Sequence, residues 1–231
     1  MADLTRILAC DSSGKTATAA ILENDKLLSC FTINTGLTHS EKMMPLISDM
    51  LKSADLKIED IDAFAVANGP GSFTGIRIGS SSIKAMAHAL DKPIFGISTL
   101  EGLFRNITAT YGIICPIIDA RREEVYAAVY KDNKCIVPDC DIKLKDLLLT
   151  FEKEEKVMFL GDGVMSYKEI ITAALGDRAM FAPPHLLLQN AASIAVIAYE
   201  KYKNGEHPTY SDFAISYLKA SQPEQALNAQ L

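Results

Sequence analysis

Two aspartates in this chain close apolar runs and open polar turns. Asp11 follows Ile7-Leu8-Ala9-Cys10 and is followed by Ser12 and Ser13, and Asp119 closes the run from Ile113 to Ile118. A third turn, inside Gly69-Pro70-Gly71-Ser72-Phe73-Thr74-Gly75-Ile76-Arg77-Ile78-Gly79, opens a helix. Glycines let backbone N–H groups approach a ligand, and a helix start favours anions. No Gly-Lys-Ser/Thr follows at the P-loop spacing. The bland readings are equally physical: aspartate caps its own turn, and glycine serves a tight strand-to-helix corner. The four histidines, His39, His88, His185 and His207, are isolated in sequence. A metal pair on a helix needs a second ligand at i+4 from His39, and that position is Met43. No Ser/His/Asp or Cys/His set stands out by spacing, so no catalytic residue and no metal ligand is nominated.

These turns need strands and helices to hold them. Thr5 to Cys10, Thr16 to Leu22 and Lys26 to Ile33 read as a three-stranded meander with short connections. Thr38 or Ser40 can cap a helix to about Ala54, where Pro45 suits a first turn and predicts a late or kinked start. Asp62 to Ala67 reads as a buried strand, about Thr74 to Leu90 as a helix rich in small residues, and Pro93 to Ile97 as another strand. The second half repeats this order. An offset of 108 residues carries Asp11 onto Asp119 and Ala19-Ala20-Ile21 onto Ala127-Ala128-Val129. Val157 to Gly163 repeats the strand and glycine turn of Phe64 to Gly69. The expectation is a duplicated α/β chain with lobes 1–110 and 111–231. Asp turns and Gly turns facing each other across two lobes describe a cleft.

The 231 residues carry 23 Lys+Arg against 29 Asp+Glu, a net charge of −6, with 48% hydrophobic residues. That composition builds a core and offers no basic stripe for gripping nucleic acid alone. No apolar run approaches a membrane span, and Asp3 stands where a secretion signal would be basic. The five cysteines include no CxxC, which fits reduced thiols in a cytoplasmic protein.

Two helices carry more apolar and small residues than one core face needs. The first offers Met43, Met44, Ile47, Met50 and Leu51, and the second offers Gly75, Gly79, Ser82, Ile83 and Met86. Such surfaces suit helix–helix association, so these ten positions form the candidate partner or dimer interface. The alternative is ordinary core.

The fold expected from this order is the duplicated ribonuclease-H-like architecture of actin, sugar kinases and acetate kinase. Asp11, Ser12, Ser13 and Thr16 resemble the first phosphate turn of that kinase-like fold, with Asp119 as partner in the second lobe. Asp11, Ser12, Ser13 and Asp119 with Gly69 and Gly71 would form a vestigial nucleotide cleft. More specifically, the chain resembles the TsaB (YeaZ) family. The resemblance rests on residues 7–13, Leu37-Thr38-His39-Ser40-Glu41, the glycine segment, Ile118-Asp119-Ala120-Arg121-Arg122-Glu123-Glu124-Val125-Tyr126 and Tyr217-Leu218-Lys219-Ala220-Ser221-Gln222. It implies a cytoplasmic, non-catalytic partner of TsaD and TsaE, in a complex that transfers a threonylcarbamoyl group to an adenosine beside the tRNA anticodon. It also implies self-association through the same helices when TsaD is absent, contact with tRNA only through the complex, and no cofactor of its own. Met43 in place of TsaD's second histidine agrees with that. Two other readings stay open: an ATP-dependent phosphotransferase using Asp11, Asp119 and the glycine turn, and a glycoprotease-like metallopeptidase.

Overall fold

A computed structural model describes residues 4–35, 39–107, 112–151 and 155–219. The chain is α/β and forms two five-stranded mixed sheets. The first contains β1 (Arg6–Asp11), β2 (Ala17–Glu23), β3 (Lys26–Ile33), β4 (Ala63–Gly69) and β5 (Ile94–Ser98), in the order β3-β2-β1-β4-β5. The second contains β6 (Ile113–Arg121), β7 (Glu124–Lys131), β8 (Lys134–Lys143), β9 (Val157–Leu160) and β10 (Ala179–Phe181), in the order β10-β9-β6-β7-β8. In each sheet the first three strands pair antiparallel and the last two run parallel to the first. This is the duplicated ribonuclease-H-like, actin-like architecture.

Each sheet carries a hydrophobic core on both faces. On the first, Leu8, Cys10, Ile21, Phe64 and Val66 meet α1 (His39–Ser53) and α2 (Phe73–Ala89). On the second, Cys115, Ile117, Val125, Val129 and Phe159 meet α4 (Leu144–Leu149) and α5 (Gly163–Leu175). The remaining helices cross over. α6 (Ala191–Lys203) covers the opposite face of the first sheet, against Ile7, Ala9, Ala20 and Phe95. α3 (Thr99–Phe104) supplies Leu100, Leu103 and Phe104 to the opposite face of the second, where Phe104 stacks on Tyr130 with centroids 4.0 Å apart. Each half of the chain therefore lends one helix to the other half's sheet.

The helix expected to start late runs unbroken from His39 through Pro45. Pro45 lies on its exposed side, where the carbonyl left without a donor can meet water. Ser40 falls inside this helix, so it does not cap it, and Thr38 lies outside the described residues. Ser72 caps α2, its hydroxyl accepting from the Gly75 N–H at 3.2 Å.

The repeat holds, with one correction in phase. Ala19 and Ile21 face the α1–α2 core as Ala127 and Val129 face the α4–α5 core, so the 108-residue offset is kept on the second strands. On the first strands it is not. Asp11 stands opposite Thr18 and Asp119 opposite Val125, so the second hairpin is one residue shorter. Successive side chains on a strand alternate faces, so the shift inverts which residue faces which helix. Ser12 bonds α2, and Asp119 bonds α5. Asp119 is thus the positional counterpart of Ser12 rather than of Asp11.

Candidate functional site

A cavity of about 860 Å³ opens between the two sheets. Its walls are the turn after β1, the start of α2, the end of β6 and the segment 216–219. Of the six residues expected in a nucleotide cleft, Ser13, Gly71 and Asp119 line this space. Asp11, Ser12 and Gly69 lie behind that lining, all buried.

The turn after β1 is sealed by its own hydrogen bonds. The Asp11 carboxylate accepts from the Ser13 N–H at 2.8 Å and from the Ser13 hydroxyl at 2.6 Å. The Ser12 hydroxyl donates to the Gly75 carbonyl at 2.8 Å. Ser72 N–H donates to the Ser13 carbonyl at 2.7 Å. His39 Nε2 lies 2.8 Å from the Gly14 carbonyl, tying the first residue of α1 to the same turn. Asp11 is 1% exposed, and burial pushes its pKa from 3.8 up to about 6 against the pull of the Ser13 bonds and of His39.

Three of the four glycines of the 69–79 segment pack against this turn. A Cβ at Gly71 would stand 2.4 Å from the Ser13 carbonyl oxygen, one at Gly75 2.1 Å from the Ser12 carbonyl oxygen, and one at Gly79 2.4 Å from the Ser12 hydroxyl. Gly75 and Gly79, at i and i+4 on α2, share one helix face, and with Gly71 just before the cap they open one groove in which the buried turn lies. At Gly71 and Gly75 backbone meets backbone, and at Gly79 backbone meets the Ser12 hydroxyl, at distances no side chain allows.

On the second sheet the geometry differs. Asp119 is half-buried, its side chain 16% exposed, which alone would raise its pKa, but donors outweigh that. Arg121 N–H bonds it at 2.8 Å, the Tyr167 hydroxyl at 2.8 Å and the Ser166 hydroxyl at 3.0 Å, and together with the Arg121 guanidinium they hold it below the usual carboxylate range. The Asp119 N–H in turn donates to Asp162 at 3.2 Å, whose own pKa burial raises. Lys15, Arg77, Arg121 and Arg122 also border the cavity. Sequence reasoning missed Asp162, Tyr167 and the cavity wall at 216–219, because nothing in their spacing points to the Asp119 turn. Among the described residues, no group of three His, Cys, Asp or Glu side chains is placed to hold a metal ion.

A family model described as "TsaD: tRNA N6-adenosine threonylcarbamoyltransferase" matches residues 34–224. The chain is 33% identical over 223 residues to the tRNA threonylcarbamoyladenosine biosynthesis protein TsaB of Bacillus subtilis, covering 94% of this chain and 96% of that protein. The chain belongs to the TsaB family. It is also 35% identical over 133 residues to the Escherichia coli protein of the same name, covering 56% of each. The structure of YeaZ from Pseudomonas aeruginosa superposes with a TM-score of 0.77 at 22% identity, covering 93% of this chain and all of that one, which shows a shared fold.

The helical surface expected in this TsaB-family chain needs correcting. Met43, Ile47, Met50 and Leu51 are core residues of the first sheet, and Ile83 joins them. At about 100° per residue, positions 43, 47, 50 and 51 fall within one arc of the helix and point the same way. Gly75 and Gly79 are buried against Ser12, so they face the fold and not a partner. What remains outward is Met44, 48% exposed, with Ser82 and Met86 half-buried at the edge of α2. Exposed Ser81 and Ala85 continue that outer face.

Proposed function

We propose that this chain takes part in forming threonylcarbamoyladenosine in tRNA, as a non-catalytic subunit that works with TsaD and TsaE. The end-to-end match to the Bacillus subtilis TsaB protein carries the reading. The geometry supports a non-catalytic role. Asp11 is sealed under Ser13, His39 is spent on the Gly14 carbonyl, and Met43 fills the core where a helix-borne metal site would need its second ligand. The outer face of α1 and α2, at Met44, Ser82, Ala85 and Met86, is the proposed meeting surface for TsaD, or for a second copy of the chain when TsaD is absent. Contact with tRNA is made through that complex, in keeping with the net charge of −6. No helix among the described residues is long and apolar enough to cross a membrane, and tRNA chemistry fits a cytoplasmic setting.

The phosphotransferase reading keeps one observation in its favour, the cavity bordered by Lys15, Arg77, Arg121 and Arg122. One experiment separates the two. The purified chain is incubated with ATP and assayed for phosphate release, then added to TsaD and TsaE with tRNA and an activated threonylcarbamoyl donor. The proposal expects background hydrolysis alone and stimulated tRNA modification in the mixture. ATP turnover by the chain alone, without stimulation, favours the kinase-like reading.

A further inference from the structure

The last described segment does not end on the sheet where it begins. Ile94 N–H donates to the Pro208 carbonyl at 3.0 Å, Asn68 Nδ2 to the Ala214 carbonyl at 3.0 Å, and Ser216 N–H to the Asn68 carbonyl at 2.8 Å. Phe213 packs against the core of the first sheet, with Lys84 Nζ 5.8 Å from its ring centre. Gly69 makes the close approach feasible: a Cβ there would lie 2.2 Å from the Ser216 carbonyl oxygen. Tyr217 then stands over α2, its ring 5.1 Å from that of Phe73 and its hydroxyl accepting from Arg77 Nε at 2.9 Å. Two residues later the chain reaches the second sheet. Lys219 Nζ donates to Glu124 on β7 and lies 3.4 Å from Asp141 on β8. Between these anchors, Ser216, Tyr217, Leu218 and Lys219 form a wall of the inter-sheet cavity.

The two anchorages are unlike in kind. The first is backbone pairing and aromatic burial. The second is one ammonium between two carboxylates, with side chains 27%, 29% and 23% exposed. Ion pairs of that exposure are weak and are screened by salt. We propose that residues 208–219 are a latch across the cavity, and that the ionic clasp of Lys219 on Glu124 and Asp141 controls entry to it. Among the described residues, neither Tyr217 nor Leu218 hydrogen-bonds the second sheet. Releasing Lys219 therefore frees Leu218 and Lys219 from the second sheet, while Tyr217 stays held by Phe73 and Arg77 and Ser216 by Asn68. The hydrogen bond from Lys219 draws Glu124 below the usual glutamate range, and the same bond raises the pKa of Lys219. Both groups stay charged around neutrality, so ionic strength rather than pH works the clasp.

The test reads entry directly. Ala120 lines the same cavity and is half-buried, so Ala120→Cys places a thiol inside it. The full chain is treated with iodoacetamide, and each cysteine's modification rate is followed by peptide mass spectrometry. Buried Cys10 and Cys115 report any general loosening, and exposed Cys30 and Cys135 report the reagent. Adding Lys219→Met should raise the rate at position 120 about fivefold, the factor an ion pair of this exposure is worth, with Cys10, Cys30, Cys115 and Cys135 unchanged. Without that change the rate at 120 should rise with salt; with it, salt should have no effect. Lys219→Arg should restore the slow rate. An unchanged rate at 120 in the Lys219→Met chain overturns the proposal, and so does a rise shared by Cys10 and Cys115.

Discussion

Replacing Gly75 by alanine separates two meanings of the glycine segment. If Gly75 lets a partner helix approach, the isolated chain should tolerate alanine and gain roughly 0.5–1 kcal/mol of helix propensity. The structure requires the opposite. The new Cβ would sit 2.1 Å from the Ser12 carbonyl oxygen and 3.3 Å from the carbonyl carbon. Neither is the free end of a side chain. Ser12 is held in place by its bond to the Gly75 carbonyl, and its neighbour Asp11 by two bonds from Ser13. Relief demands that the turn and α2 separate by about 1 Å, which opens the buried contact at Gly71 and Gly79 as well. Overpacking of this kind costs about 1–3 kcal/mol, and here it exceeds the propensity gain. In a chain of this size, each kcal/mol lowers the midpoint by roughly 2–4 °C, so a net cost of about 1–2 kcal/mol should make Gly75→Ala melt about 2–8 °C below the parent. Thermal unfolding by circular dichroism measures it, with Ser82→Ala, at the outer edge of α2, as the control expected to melt with the parent. A Gly75→Ala chain that melts at or above the parent temperature refutes the packing argument.

Three further outcomes follow from the same geometry. Burial raises the pKa of Asp11 from 3.8 to about 6, so between those values the folded chain binds a proton more tightly than the unfolded chain, and stability falls as pH rises through that window. Asp11→Asn keeps an oxygen for Ser13 and should flatten this fall. Its unfolding free energy relative to the parent should rise from about pH 4 to pH 7, by at most about 3 kcal/mol; a parent that gains on the variant over that range contradicts the assignment. Gly161→Ala, with φ +96° and a Cβ 2.1 Å from the Ile117 carbonyl oxygen, should cost more in a urea titration than Gly102→Ala, which meets the movable Ile194 side chain at 2.5 Å. Met44→Glu and Ala85→Glu should leave the fold intact and weaken binding to TsaD at least tenfold by calorimetry, because a charge desolvated in an interface without a partner is costly; binding as tight as the parent's would place the interface elsewhere.

The strand–turn–helix order of both halves was readable because buried strands leave apolar runs and turns leave Gly, Asp and Asn. The β8 edge, the short β10 and the helices α3, α4 and α6 were not read as elements. β8 is exposed over Lys134 to Pro138 and shows no apolar alternation there. The packing of α6 on the first sheet is a long-range choice that no local pattern encodes. The site was legible in part. Sequence placed Ser13, Gly71 and Asp119 around one cleft, and the structure brings all three to its wall. It could not tell that Gly75 and Gly79 were shaped by Ser12, since that contact joins residues about 60 apart. The one-residue phase shift at Asp119 escaped because the gapless match of Ala19-Ala20-Ile21 concealed a shorter hairpin. The Met-rich face of α1 misled because methionine suits a core as well as an interface.

The central claim is participation in tRNA modification, and the most direct measurement is nucleoside mass spectrometry of tRNA. Unmodified tRNA would be incubated with TsaD, TsaE, ATP and an activated threonylcarbamoyl donor, with and without this chain, then digested and analysed. The account predicts threonylcarbamoyladenosine in quantity only when the chain is present. Equal yields in both reactions would contradict it.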